Sequence, residues 1–277
     1  MDGVAVGLGL REVWLDELER TDRRALDLLE VMIDDARGCA HRRSRWRRLG
    51  AKWPLVAHGT DLGIGDAEGV DPAYVGAIAD AVAALQCWWY SEHLAFLRAG
   101  EIDLGHFGPV FDDDEAMRAL SANAAVVAAT VKRPLLLENP SDILGWGTDQ
   151  VEPGRHLGRG YARALEAADC GALLDLTNLV YDARNGGWST ESFLAEVPME
   201  RVVQVHLAGG RQVGELWIDS HDRPVDSEAL ALLGEVARRA PQLRAVTIEW
   251  DEDVPSLAVA LDQLEQVRSV LAKAGRR

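Results

Sequence analysis

The sequence predicts a single (β/α)₈ TIM barrel over residues 1–277, and three observations lead there. Short apolar, β-branched runs recur along the chain, and Ala/Leu/Arg/Glu-rich stretches with helical spacing separate them. The length of 277 residues is close to the roughly 250 of a typical β/α barrel. The first strand is followed by Gly7-Leu8-Gly9-Leu10-Arg11-Glu12, which does not complete the GxGxxG turn of an open doubly wound sheet.

Eight strands are expected, at 4–10, 27–33, 53–58, 88–93, 135–139, 172–176, 202–207 and 245–250. Helical windows fall at 13–23, 73–85, 113–131, 159–169, 189–196, 226–239 and 255–274, with a weaker one at 38–50. Asp71-Pro72 and Asp226-Ser227 mark helix starts, because an aspartate caps the first free N–H groups and proline fits the first turn. Strand–helix alternation implies a parallel sheet, and eight such units close into a barrel. No Pro/Gly/Ser-rich linker divides the chain.

Composition narrows the function. At 48% hydrophobic and 27% charged, the chain can bury one sizeable core. A net charge of −16 would repel a phosphate backbone, so nucleic acid is not expected as a partner. No apolar run reaches the 18 or so residues of a membrane span, and the N-terminus lacks a basic signal region, so a cytoplasmic, membrane-free protein is expected. Cys39, Cys87 and Cys170 are too scattered for a disulfide framework, and the last two are expected in the core. The basic run from His41 to Arg48 is expected to be a solvated helix face rather than a docking patch for an acidic partner.

Metal-capable side chains gather at the C-terminal ends of the expected strands. They are His58; Glu92 and His93; Glu138; Asp175 and Asn178; His206, followed by Asp219 and His221; and Glu249 with Asp251. In a barrel those ends converge on one mouth. A set of imidazoles and carboxylates without thiolate suits iron, zinc or manganese. The number of donors exceeds the need of one ion, which points to a multinuclear site bridged by a carboxylate such as Glu138 or Asp175. Burying Glu138 behind three leucines, or Glu249 behind Val246-Thr247-Ile248, would be costly unless each is paired or metal-bound. His106, by contrast, is expected either to line the mouth or to serve only its loop.

The motifs Leu8-Gly9-Leu10-Arg11, His58-Gly59, Ser91-Glu92-His93-Leu94, Glu138-Asn139-Pro140, His206-Leu207-Ala208-Gly209, Asp219-Ser220-His221 and Ile248-Glu249-Trp250-Asp251 also carry a resemblance. In this order, over nearly the whole chain, they resemble the multinuclear non-haem iron-dependent oxidases that include the methanobactin-biosynthesis oxidase. The resemblance implies a TIM barrel with two or three irons in mixed Fe(II)/Fe(III) states, activation of dioxygen, and oxidative modification of a residue, often cysteine, in a ribosomally made precursor peptide. It implies His58, His93, Glu138, Asp175, His206 and Glu249 as principal ligands, Asn178, Asp219 and His221 for a further iron, and Glu138, Asp175 and His206 at the centre of the reaction. It also implies a separate partner that grips the leader peptide. Two positions depart from the family pattern: Thr177 stands where an asparagine is usual, and Asp61 where a serine is common. The residues alone leave open a manganese- or zinc-dependent sugar isomerase or hydrolase, which uses the same donor types.

Overall fold

The computed structural model describes residues 3–142 and 151–276. The strands are β1 (Ala5–Gly9), β2 (Leu28–Met32), β3 (Leu55–Gly59), β4 (Tyr90–His93), β5 (Ala95–Ala99), β6 (Ile102–Pro109), β7 (Leu135–Glu138), β8 (Gly171–Asp175), β9 (Val202–Leu207), β10 (Arg211–Val213), β11 (Leu216–Ile218) and β12 (Ala245–Ile248). Eight of them, β1, β2, β3, β4, β7, β8, β9 and β12, pair in parallel in that order and close into a barrel, at the places the sequence predicts. The other four form two antiparallel hairpins, β5–β6 after β4 and β10–β11 after β9, neither of which the sequence predicts.

The helices are α1 (Leu15–Leu18), α2 (Ile33–Ala36), α3 (Ala40–Gly50), α4 (Pro72–Leu85), α5 (Asp114–Val131), α6 (Pro153–Ala167), α7 (Leu176–Gly186), α8 (Thr190–Leu194), α9 (Ser227–Arg239) and α10 (Leu257–Lys273). Local capping explains several boundaries. Asp71, Asp113 and Asp226 each accept from a backbone N–H in the first turn of α4, α5 and α9. The helix expected at 13–23 shrinks to a 3-10 turn and α1, because Asp22 caps a second short turn through Arg24 N. Helix α6 begins six residues earlier than expected, at Pro153, whose missing N–H costs nothing there. Helix α7 is an addition to the expected set, since it follows β8 without a loop. Its buried Leu176, Leu179, Val180 and Ala183 nevertheless have i, i+3, i+4, i+7 spacing.

Most of the core lies between strands and helices, as in any barrel whose outer strand faces are covered. A separate cluster of Ala5, Leu28, Val56, Trp89, Leu136, Leu173 and Ala245, with Val203 against it, plugs the lower interior with one side chain from each barrel strand or, for Trp89, from the residue just before β4. Cys87 and Cys170 are buried, and burial pushes both thiols up to about 12, so they act as small core residues. The arginines of α3 do not form a free patch: Arg42 pairs with Glu12 and Asp35, Arg45 with Asp16 and Glu19, and Arg48 with Glu19. No helix among the described residues is long and apolar enough to cross a membrane.

Candidate metal centre

Strand alternation places the site. Side chains two residues apart share a face, so the residues two positions above the lower plug also point inward. Leu28 is followed inward by Glu30, Val56 by His58, Trp89 by Ser91, Leu136 by Glu138, Leu173 by Asp175 and Ala245 by Thr247, all buried. In β9 the pairing with β8 slips by one residue between Ala172 and Leu173, which leaves Val203 without a partner. Gln204 and His206 then share the inward face, as their contacts to Glu30 and Thr247 show. One pleat higher, His93 and Glu249 close the layer.

Glu138 is the hinge of this constellation. Donor atoms of His58, His93 and Glu138 lie within 4.8 Å of one another, and so do those of Glu138, Asp175, His206 and Glu249. Glu138 Oε2 is 3.2 Å from His58 Nε2 and 3.5 Å from His93 Nε2, while Oε1 is 3.2 Å from His206 Nδ1. Glu249 Oε2 is 3.1 Å from His206 Nδ1. Of the three residues expected for a further iron, Asp219 and His221 lie together, with His221 Nε2 2.9 Å from Asp219 Oδ1.

The outward atoms of these ligand candidates are tied down. His58 Nδ1 meets Ser91 Oγ at 2.9 Å, and His93 Nδ1 meets the Gly59 carbonyl at 3.3 Å. His221 Nδ1 lies 2.8 Å from Asp251 Oδ2, and Asp251 is held by Arg11, so the first and last sequence motifs meet at the mouth. Asp175 Oδ1 caps α7 by accepting from Asn178 N at 2.7 Å. The amide of Asn178 donates to the Asn139 carbonyl, and Asn139 exchanges two hydrogen bonds with the Asp175 backbone. After these bonds Glu138 Oε2, Asp175 Oδ2 and Asn178 Oδ1 are buried and accept no hydrogen bond. Buried carboxylate oxygens are rarely left so. Oxygens without donors that face imidazole nitrogens are what a bound cation requires, so these residues fit a metal.

Electrostatics agree with the geometry. Burial opposes charge on Glu138, but His93, His206 and His58 outweigh it and hold its carboxyl down at about 2. Burial likewise opposes charge on His206, and Glu249, Glu30 and Glu138 outweigh it and push its pKa well up. Burial, reinforced by Asp219 and Glu138, pushes Asp175 well up. Without a cation the cluster therefore holds protons to offset its carboxylates.

Beside the mouth, Phe107 of β6 stacks on His93 at 4.1 Å. A cleft of about 160 Å³ opens behind it, lined by Pro109, Leu157, Tyr161, Trp188 and Phe193 among others. His106 and His156 line this cleft and lie outside both donor clusters. Asp182 also lines it, accepting from Ser141 Oγ at 3.0 Å and Asp142 N at 2.8 Å. Burial lifts the Asp182 carboxyl to about 7 from an ordinary 3.8, so the folded chain keeps a proton there that the unfolded chain has lost. Stability from this group is therefore full below about pH 4 and falls as pH rises to about 7, by up to about 4 kcal/mol. Asp182→Asn, able to accept from Asp142 N and donate to Ser141 Oγ, should raise the melting temperature more at pH 8 than at pH 5. An equal shift at both would contradict this.

Sequence reasoning missed Glu30. It is buried in β2, 2.9 Å from His206 Nε2, and carries the same signal that singled out Glu138: a carboxylate within an apolar run, Leu28-Leu29-Glu30-Val31.

Fold and site together define a β/α-barrel enzyme whose mouth carries a His/Glu/Asp set able to hold metal ions. The chain belongs to the family described as RiPP precursor modification enzyme MbnB/TglH/ChrH, which matches residues 5–272. A UPF0276 protein of Caulobacter vibrioides is 33% identical over 98% of this chain and 95% of its own. Among solved structures, 3-keto-D-glucoside 4-epimerase from E. coli matches 96% of this chain and 99% of its own with a TM-score of 0.59 and 16% identity. Endonuclease IV from Thermus thermophilus matches 97% and 99%, with a TM-score of 0.56 and 15% identity. At those identities the likeness is one of fold alone.

Proposed function

We propose that this protein is a multinuclear non-haem iron-dependent oxidase that uses dioxygen to modify a residue, often cysteine, of a ribosomally made precursor peptide. Family membership supports a precursor peptide as substrate. The observation that carries the rest is Glu138, shared between two donor clusters of mixed imidazole and carboxylate character. His58 and His93 would hold one ion with Glu138; Asp175, His206 and Glu249 would hold a second with its other oxygen. Asn178, Asp219 and His221 would hold a third. Carboxylates favour a ferric ion and imidazoles a ferrous one, and bound iron would supply the capacity to activate dioxygen.

The chain's own residues do the rest. Ser91 and the Gly59 carbonyl hold the rings of His58 and His93 with Nε2 facing inward. Asn139 locks the ends of β7 and β8 together, which keeps Glu138 and Asp175 in register. The cleft behind Phe107 would seat an apolar neighbour of the reacting residue. None of the three cysteines lies in the clusters, so a reacting thiol would come from the peptide. A separate protein gripping the leader peptide is part of this proposal.

The test is elemental analysis of protein purified without oxygen from iron-supplemented cells, followed by dioxygen uptake with any short cysteine-containing peptide found encoded beside its gene. Two or three irons per chain, with dioxygen consumed as the peptide changes mass, are expected. One zinc or manganese with little iron would favour an isomerase or hydrolase instead.

A further inference from the structure

We infer that Glu30 is a positioning residue that sets the tautomer of His206, so that His206 binds metal through Nδ1 whereas His58 and His93 bind through Nε2. The inference rests on His206 being a metal ligand, as proposed above, and follows from counting protons in the layer beneath the site.

Trp89 Nε1 meets Gln204 Oε1 at 2.6 Å. An indole N–H can only donate, so the Gln204 atom facing it is the carbonyl oxygen. The other end of Gln204 is therefore the NH₂ group, with two hydrogens. Acceptors for both are present: Glu30 Oε2, and Thr247 Oγ1 at 3.0 Å. No hydrogen of Gln204 remains for His206 Nε2, although the two nitrogens are 3.1 Å apart. His206 Nε2 instead faces both Glu30 oxygens, at 2.9 and 3.0 Å. Glu30 Oε2 already accepts from the Gln204 NH₂ group, and as the acceptor here it leaves the proton on this side to His206 Nε2.

The consequence falls on the opposite ring nitrogen. With Nε2 protonated, a neutral His206 presents the Nδ1 lone pair to Glu138 Oε1 and Glu249 Oε2, 3.2 and 3.1 Å away. A lone pair set between two carboxylate oxygens is a place for a cation, whereas without one a proton on Nδ1 would fill it. The arrangement at His58 is reversed: Ser91 Oγ engages Nδ1, and Nε2 faces Glu138. A carboxylate behind a metal-bound imidazole fixes the ring orientation and makes the ligand more basic. Glu30 is fully buried, so its effect reaches the ion only through His206.

Two experiments test this. In Zn²⁺-loaded protein with ¹⁵N-labelled histidine, His206 should show a protonated Nε2 and a metal-shifted Nδ1, and His58 and His93 the reverse. A metal-shifted Nε2 on His206 would overturn the inference without any variant having to fold. The second compares metal retention under chelator in Glu30→Gln and His206→Ala. A glutamine keeps the volume but turns an NH₂ group toward Gln204 or His206, so the ion beside Glu249 should be held about 10–100-fold more weakly, with the His58–His93 ion retained. If His206→Ala loses that ion and Glu30→Gln holds it as the parent does, the positioning role fails. If His206→Ala itself keeps every ion, the ligand assignment fails instead.

Discussion

Glu138→Gln is expected to leave a folded barrel that retains little metal and has no measurable turnover. Among the described residues no other side chain contributes to both donor clusters, and its carboxylate lies against three imidazole nitrogens. Glutamine has the same shape but only one oxygen, and its NH₂ group would turn hydrogens toward nitrogens that must present lone pairs. Both proposed ion positions would lose a ligand at once, so the loss should exceed the roughly 10–100-fold that removal of an outer-shell partner costs. The fold should survive, because the lower plug and the outer core do not include the substituted residue. Metal per chain, turnover and the melting curve check this together. His93→Ala provides the contrast, since it should empty only the position shared with His58. Full metal content and activity in Glu138→Gln would end the assignment of this site.

The largest effect outside the donor set is expected from Gly209→Ala. A Cβ there would lie 1.9 Å from the Pro224 carbonyl oxygen and 2.6 Å from that of Arg223. Both are backbone atoms in a segment fixed by Arg223 N to Gly209 O and Asp226 N to Ala208 O, so neither can swing aside. That segment carries Asp219 and His221, and His221 already holds the left-handed conformation at φ 49°. Forcing the strands of this loop apart should cost about 3 kcal/mol. For a chain of this size that is roughly 6–12 °C in melting temperature. If Asn178, Asp219 and His221 hold a third ion as proposed, it should be lost before the other two. Gly76→Ala is the control: its Cβ would meet nothing within 4 Å, and it lies in α4, where alanine should add up to about 1 kcal/mol. An unchanged melting temperature in Gly209→Ala would mean that the close approach of residues 209 and 224 does not constrain the loop.

Eight strands and most of the helices are legible in the amino-acid sequence alone. Parallel barrel strands are buried on both faces, so they stand out as apolar runs such as Leu135–Glu138 without reference to any neighbour. Most of the residues at the mouth are legible too, because a carboxylate or imidazole closing such a run is conspicuous wherever the strand goes. Whatever depends on direction around the barrel axis is set by tertiary packing. The one-residue slip between β8 and β9 sets where Gln204 and His206 point, and no local pattern encodes a slip against another strand. The basic run reads as a solvated face, yet Glu12, Asp16 and Glu19 reach it with their carboxylates from 29 or 30 residues away in sequence. Glu30 lies within the legible signal, but its partner His206 is 176 residues distant, and only closure of the barrel brings the two together. Apolar patterning reports whether a side chain is buried, a property of its own strand; which donors share an ion depends on where eight strands meet.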